Sequence, residues 1–244
     1  MANYVIFGPG RVGGSMASYL EQLGHTVILV GRAEAEQSKP KCAKLIADAD
    51  IIAAAIPDDK LAPWRDEWRD VVAGKMTIHF SGAINIDGLY SFHSLYSFSQ
   101  SALPLSKMKE IAFACPVDGP QFSDVFPNAP NPHFAIANED RARYHALAVL
   151  SGNLASFIWN ETANEFATLT STPPDKILQS YLGSIVDRFV ESPTASLTGP
   201  IARKDARTVE KNLEGLAASP KLKGLYEAFL TAAWPGYYDG KGKS

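Results

Sequence analysis

Residues 4–13 read Tyr4-Val5-Ile6-Phe7-Gly8-Pro9-Gly10-Arg11-Val12-Gly13, and this stretch decides how the first part of the chain folds. A short apolar run that ends abruptly at glycine predicts a buried strand of a parallel sheet. From Val12 the apolar residues recur at helical spacing as far as Leu23, and Gly24 follows where a helix cap belongs. A second strand-like run, residues 26–30, completes a βαβ unit.

The three glycines have the G-x-G-x-x-G spacing and lie between the predicted strand and helix, which is the context typical of dinucleotide binding. The first glycine permits a tight turn, the second lets a pyrophosphate approach the backbone, and the third lets helix and strand pack closely. A purely structural turn is the alternative. The cofactor-binding residues expected in the turn are Gly8, Pro9, Gly10, Arg11, Val12 and Gly13.

The end of the second strand bears on the choice of cofactor. NAD sites usually carry Asp or Glu there, whereas this sequence has Gly31-Arg32. A guanidinium can pair with the 2′-phosphate of NADP, so we predict NADP, with NAD as the alternative if Glu34 contacts the ribose. Arg32 as a solvated loop residue is the simpler reading. Arg11 can likewise contact a phosphate or face solvent.

Two further apolar runs, 51–56 and 76–80, predict central strands. Ligands bind at the carboxyl ends of such strands, so we expect Ile56, Pro57 and Ser81 to face the cofactor. Trp64 and Trp68, four residues apart on a predicted helix, are expected to pack in the core or in an interface. His79, at the end of a strand, is expected to be structural.

The second half of the sequence is predicted to be helical. Composition changes after Asn138, and helix-compatible stretches then follow one another. We therefore predict an α/β fold: a Rossmann-type, mostly parallel sheet in residues 1–137 that binds the dinucleotide, followed by a smaller all-helical domain in residues 138–244 for substrate and dimer contacts. The predicted helices span about 139–169, 173–191, 204–217 and 221–233.

Composition excludes several classes of protein. The 244 residues include 23 basic and 26 acidic side chains, a net charge of −3 that does not suit nucleic-acid binding. No apolar run reaches the roughly 18 residues of a membrane span, and residues 1–4 do not follow a signal-peptide pattern. Two cysteines are too few for a disulfide framework or a structural zinc site. We expect a cytoplasmic protein that binds no metal.

Four segments carry a resemblance to a known family. They are residues 79–82, 93–98, 144–153 and 197–205, the last with the core Thr198-Gly199-Pro200-Ile201-Ala202-Arg203. The chain resembles uncharacterised proteins that join a Rossmann-like domain to domain of unknown function 2520, similar in layout to pyrroline-5-carboxylate reductase and the β-hydroxyacid dehydrogenases. The resemblance implies NAD(P) binding and a homodimer. Ser94 and Tyr96 depart from the family pattern.

Candidate catalytic residues come mainly from the start of the helical half. The Lys and Asn that β-hydroxyacid dehydrogenases place four residues apart are not both present, because Val149 precedes Asn153 by four. His145, eight residues before Asn153, is the next candidate for a proton donor, although a buried structural histidine is equally expected. His93 is a weaker candidate for the same site. Thr198 and Arg203 are expected to anchor an anionic substrate, although Arg203 can instead cap a helix or pair with an acid.

No motif of a hydrolase, zinc protease or P-loop kinase occurs in the sequence. The sequence therefore predicts an NADP-dependent oxidoreductase that transfers hydride between NADPH and a small, anionic carbonyl or imine metabolite. The alternative is a dinucleotide-binding sensor or assembly protein without catalysis.

Overall fold

The computed structural model describes residues 1–101 and 103–239, and contacts divide the chain into two compact units, the first ending at Asn153 and the second beginning at Leu154. The first unit is built on a five-stranded parallel sheet with the order β2-β1-β3-β4-β5. Its strands are β1 (Asn3–Phe7), β2 (Thr26–Val30), β3 (Ile51–Ala54), β4 (Met76–His79) and β5 (Tyr90–Ser91).

The central strand β1 supplies side chains to both hydrophobic cores of the first unit. Successive residues of a strand point to opposite faces, so Tyr4 and Ile6 enter one cluster while Val5 and Phe7 enter the other. Because both faces are covered, the strand is apolar from Tyr4 to Phe7, as the sequence indicated. The helices on this sheet are α1 (Arg11–Gln22), α2 (Arg32–Gln37), α3 (Lys39–Asp48) and α4 (Asp58–Val72).

The chain between β5 and the end of the first unit forms a second, three-stranded sheet. Strand β6 pairs antiparallel with β7, and β7 pairs parallel with β8. The elements of this part are β6 (His93–Ser94), α5 (Leu105–Glu110), β7 (Phe113–Pro116), α6 (Phe122–Val125), β8 (His133–Ile136), a 3₁₀ turn (Asn138–Asp140) and α7 (Arg141–Ala148).

The second unit is helical. Helices α10 (Ala206–Gly215) and α11 (Pro220–Ala233) enclose a small core of Ile201, Val209, Leu230 and Tyr237. The two longer helices, α8 (Ala155–Leu169) and α9 (Pro174–Glu191), bury one side chain between them, that of Leu178. Within the described residues, no helix is both long and apolar enough to cross a membrane.

The predicted fold class is confirmed, with three local differences. Residues 32–48 form two helices, for which no prediction was made from the sequence, and Arg32 begins the first of them instead of lying in a loop. Residues 92–98, whose sequence predicts an extended segment, pair as a strand only at His93–Ser94. The long helix predicted over 139–169 is interrupted by a π-helical turn, Val149–Leu154.

The division by contacts falls later in the chain than the composition change near residue 138, on which the boundary prediction rests. Helix α7 lies with the first unit because its first residue, Arg141, is fully buried and donates hydrogen bonds to Ser91 on β5. Tyr144 of the same helix bonds to His93 on β6.

Candidate functional site

A cleft of about 520 Å³ opens at the carboxyl ends of β1, β2 and β3. We call it the glycine-turn cleft, and it brings together seven of the residues predicted to bind the cofactor. These residues are Gly8, Pro9, Gly10, Gly31, Arg32, Ile56 and Pro57.

The three glycines of the turn differ in what surrounds them. Gly8 has a φ of +99°, and a Cβ on Gly13 would lie 2.0 Å from the carbonyl oxygen of Gly8. Gly10 has no neighbour within 4 Å of where its Cβ would stand, and it caps the amino terminus of α1. The backbone N–H groups of the first helical turn lack intrahelical partners there, so the turn offers open space and donors to an anionic group. This geometry fits a pyrophosphate.

Two cations line the glycine-turn cleft, Arg32 and Lys60. Lys60 was missed from the sequence because α4 begins at Asp58, earlier than the predicted helix, and this places Lys60 in the first turn. Trp64 and Trp68 are buried against Phe7, as expected, and their edges also form a wall of the cleft.

A second cavity, of about 820 Å³, is lined by all three predicted catalytic residues, His93, His145 and Asn153. We call it the histidine cavity. Arg11 and Val12, predicted to bind cofactor, line this cavity rather than the glycine-turn cleft. Of these two spaces, Gly10 therefore lines only the cleft and Arg11 only the cavity, while both residues also line a pocket beside α1.

The π-helical turn explains how His145 and Asn153 reach the same cavity. On a straight α-helix, eight residues at roughly 100° each leave the two side chains about 80° apart. The wider π turn, Val149–Leu154, rotates each residue by less, and this returns Asn153 towards the face that carries His145. Single π turns of this kind often occur at functional sites.

Both histidines of the cavity pack against Gly82. Their ring centroids are 5.7 Å apart, at 76°. A Cβ on Gly82 would lie 2.8 Å from Cδ2 of His145 and 2.9 Å from Cδ2 of His93. Glycine at this position therefore allows both imidazoles to approach the loop that follows β4.

Burial controls the protonation of the histidines around this loop. Burial, reinforced by electrostatic interactions with His145 and Arg141, lowers the pKa of His93 to about 4, against a smaller opposing effect of Asp58. Burial also lowers the pKa of His79 to about 4. His79 is fully buried and accepts a hydrogen bond from the Ser81 backbone at Nδ1, while its Nε2 is buried without a hydrogen-bond partner among the described residues.

Ser81 and the two predicted substrate anchors line neither the glycine-turn cleft nor the histidine cavity. Ser81 is buried, and its hydroxyl donates to Asp58 at 2.9 Å, so it holds the start of α4 against the end of β4. Thr198 and Arg203 belong to the second unit, where Thr198 accepts a hydrogen bond from Arg188 at 3.1 Å.

Two functional candidates had little signal in the sequence. Tyr144, interpreted as a packing residue, lines the histidine cavity and bonds to His93 at 2.7 Å. Arg141, which no motif singled out, is a fully buried guanidinium next to this pair. Their proximity depends on α7 packing beside β5 and β6, which the spacing of residues does not reveal.

A parallel sheet with this strand order, and a glycine turn after its first strand, give the first unit a doubly wound, Rossmann-like fold. Residues 120–232 match the family model described as Domain of unknown function (DUF2520). This match confirms the resemblance found in the sequence. A search of curated proteins found no significant match.

Solved structures share the fold over nearly the whole chain. A Bacteroides fragilis protein, provisionally named an NADP oxidoreductase, is 20% identical, with 95% of this chain and 97% of that chain covered and a TM-score of 0.72. A Thermotoga maritima protein is 19% identical, with 98% and 99% covered and a TM-score of 0.70. The Plasmodium falciparum pyrroline carboxylate reductase, solved with NADP bound, is 12% identical, with 97% of each chain covered and a TM-score of 0.62.

Proposed function

We propose that this protein is an NADPH-dependent reductase of a small, anionic carbonyl or imine compound. The observation that carries the proposal is the histidine cavity, which presents acid–base side chains directly beside the glycine turn. Similarity of fold to a pyrroline carboxylate reductase with NADP bound supports the cofactor class.

The glycine-turn cleft would hold the cofactor. Gly10 leaves room for the pyrophosphate, and the first turn of α1 supplies N–H donors. Arg32 and Lys60 supply positive charge for a 2′-phosphate, which supports NADP over NAD. When bound, the reduced nicotinamide supplies a hydride.

The histidine cavity would hold the substrate. Among the described residues that line it, Arg11 is the one arginine or lysine, and its guanidinium has no ion pair or hydrogen bond within the described chain. A free guanidinium in a cavity favours a carboxylate, so an anionic substrate is supported by this residue. Thr198 and Arg203 stay predicted substrate contacts.

Different polar side chains of the cavity would donate the proton and polarise the acceptor. Reduction needs a proton donor and a group that polarises the acceptor. His93 and His145 are the titratable groups for the first task, and the amide of Asn153 is suited to orienting the acceptor.

The second unit supports a homodimer as the assembled form. Helices α8 and α9 expose many large apolar side chains, far more than a solvated pair of helices usually carries. They include Phe157, Trp159, Tyr181, Val186, Phe189 and Val190. A second copy of the chain would cover them, and light scattering of the purified protein should give the mass of two chains.

Calorimetry with NADPH and NADH, at one salt concentration, tests the cofactor part of the proposal. We expect selective binding of NADPH. The substrate part is tested by following NADPH consumption with a panel of 2-oxo acids and cyclic imine carboxylates. Binding without consumption by any member of the panel would favour the non-catalytic sensor, and failure to bind either cofactor would overturn the proposal.

A further inference from the structure

His93 and Tyr144 form a hydrogen-bonded pair in the wall of the histidine cavity. The Tyr144 hydroxyl lies 2.7 Å from Nδ1 of His93, and the two rings meet edge to face with centroids 5.6 Å apart. The residues come from β6 and α7, so the fold and not local sequence creates the contact.

The direction of this hydrogen bond follows from which groups hold protons. Burial keeps the pKa of His93 near 4, so the imidazole is neutral at neutral pH and carries one N–H. Burial raises the pKa of Tyr144, so the phenol keeps its proton. A phenol O–H is a good donor and an unprotonated imidazole nitrogen a good acceptor, so Tyr144 donates to Nδ1 and the ring proton of His93 resides on Nε2.

Nε2 of His93 is the end of the pair that a ligand can reach. His93 lines the cavity, and no protein atom of the described chain hydrogen-bonds its Nε2. Nor is this nitrogen among the buried side-chain atoms of the described residues that lack a partner. The ring therefore has one nitrogen committed to Tyr144 and the other open to the cavity.

We propose that Tyr144 and His93 form the proton-delivery chain of the reductase. As hydride adds to the carbonyl or imine carbon, the π electron pair of the acceptor takes the Nε2 proton of His93, and Nδ1 takes the phenol proton of Tyr144. The phenolate left on Tyr144 regains a proton from water after the product leaves. This inference rests on the proposed function, and it gives His93 the catalytic contact and Tyr144 the task of fixing the tautomer and recharging the ring.

Arg141 favours both the neutral His93 before proton transfer and the Tyr144 phenolate after it. Its guanidinium is fully buried, donates to the Ser91 hydroxyl at 2.6 Å and to the Ser91 carbonyl at 3.0 Å, and has no carboxylate within salt-bridge distance in the described chain. Burial has the larger effect on the pKa of Tyr144 and raises it. The positive charge of Arg141 lowers this pKa and so stabilises a phenolate. The same charge disfavours an imidazolium at His93, as does the electrostatic interaction with His145.

The first test needs no substrate. Long-range ¹H–¹⁵N spectra of ¹⁵N-histidine-labelled protein report tautomer and protonation of each ring. We expect His93 to be neutral at pH 7 with its proton on Nε2, and Tyr144→Phe to give a mixture of tautomers and a raised His93 pKa, because the variant loses a donor to the neutral ring. The titratable and charged groups around the pair are His145, Arg141, Asp58 and Cys115.

Backbone amide spectra of Tyr144→Phe serve as the folding control. An Nδ1–H tautomer or an imidazolium at pH 7 in the unmodified protein would overturn the inference, whatever becomes of the proposed function. Conversely, if no compound consumes NADPH, the proposed function fails while the tautomer result still decides the arrangement of the pair.

The second test uses whichever compound consumes NADPH. We expect Tyr144→Phe to lower kcat by about 10²-fold, the lower range for loss of a positioned proton donor, with KM and NADPH binding little changed. The solvent deuterium isotope effect on kcat should rise. Tyr90→Phe is the matched control, since it removes a phenol hydroxyl on β5 that lines neither cavity. A kcat for Tyr144→Phe within twofold of the unmodified value would refute the proton chain.

Discussion

Substituting alanine at two glycines of the same turn should separate ligand binding from folding. Gly10→Ala adds a methyl group into open space, because nothing lies within 4 Å of its Cβ position. Gly13→Ala puts the same methyl group 2.0 Å from the Gly8 carbonyl oxygen and 3.0 Å from Cβ of Ala55. The first change should therefore affect a bound pyrophosphate, and the second should affect the packing of α1 on β1.

The expected magnitudes follow from these distances. At Gly13 a backbone contact must open by more than 1 Å, which we expect to cost about 3 kcal/mol and to lower the melting temperature by about 10 °C. At Gly10 the fold should lose less than about 1 kcal/mol. Loss of one hydrogen bond from the charged pyrophosphate, about 2 kcal/mol, should weaken NADPH binding about 30-fold.

Thermal unfolding and calorimetry with NADPH should be measured on both variants, with Gly14→Ala as the control. Gly14 lies inside α1 and has no neighbour within 4 Å of its Cβ position, so alanine there should leave binding unchanged and stabilise the helix slightly. Unchanged NADPH affinity in Gly10→Ala would refute the assignment of this space to a pyrophosphate. Undiminished stability in Gly13→Ala would refute the packing argument.

Three further outcomes are expected. Arg32→Ala should weaken NADPH binding about 10-fold or more and NADH binding little. Calorimetry measures this, with a substitution of the exposed Arg143, Arg143→Ala, as the control. Equal loss of affinity for both cofactors would contradict a 2′-phosphate contact. His79→Asn should reduce acid sensitivity, since a histidine pKa of about 4 in the folded state against 6.5 unfolded costs about 3 kcal/mol of stability as pH falls from 7 to 4. Denaturant unfolding at both pH values checks this, and an unchanged difference between them would contradict it. Gly82→Ala should displace both cavity imidazoles, and unshifted ring signals of His93 and His145 would count against their close approach.

Local pattern in the sequence predicted the elements around the glycine turn because burial of both sheet faces enforces continuous apolar strands. No element was predicted over residues 32–48, where a polar, charged stretch forms α2 and α3, and Cys42 and Ile46 of α3 pack in the core. Few apolar positions mark these helices, so their periodicity is weak.

In the candidate site too, local sequence pattern predicted some residues, whereas contacts between distant segments were not predictable. Gly8, Gly10 and Gly31 could be placed in one cleft because parallel strands end at one edge. The pairing of His93 with Tyr144, and the buried Arg141, could not be predicted because they join segments far apart in the chain. The π turn at Val149–Leu154 has no sequence signature, yet it decides which face Asn153 occupies.

The separation of Gly10 and Arg11 onto different spaces has a kinetic consequence. Both residues line a pocket beside α1, but only Gly10 also reaches the glycine-turn cleft and only Arg11 also reaches the histidine cavity. A dinucleotide seated on this turn would therefore complete one wall of the neighbouring space, and the second ligand would find its full binding surface only after the first had arrived. We expect an obligatory order of addition, cofactor before substrate, with the oxidised cofactor leaving last.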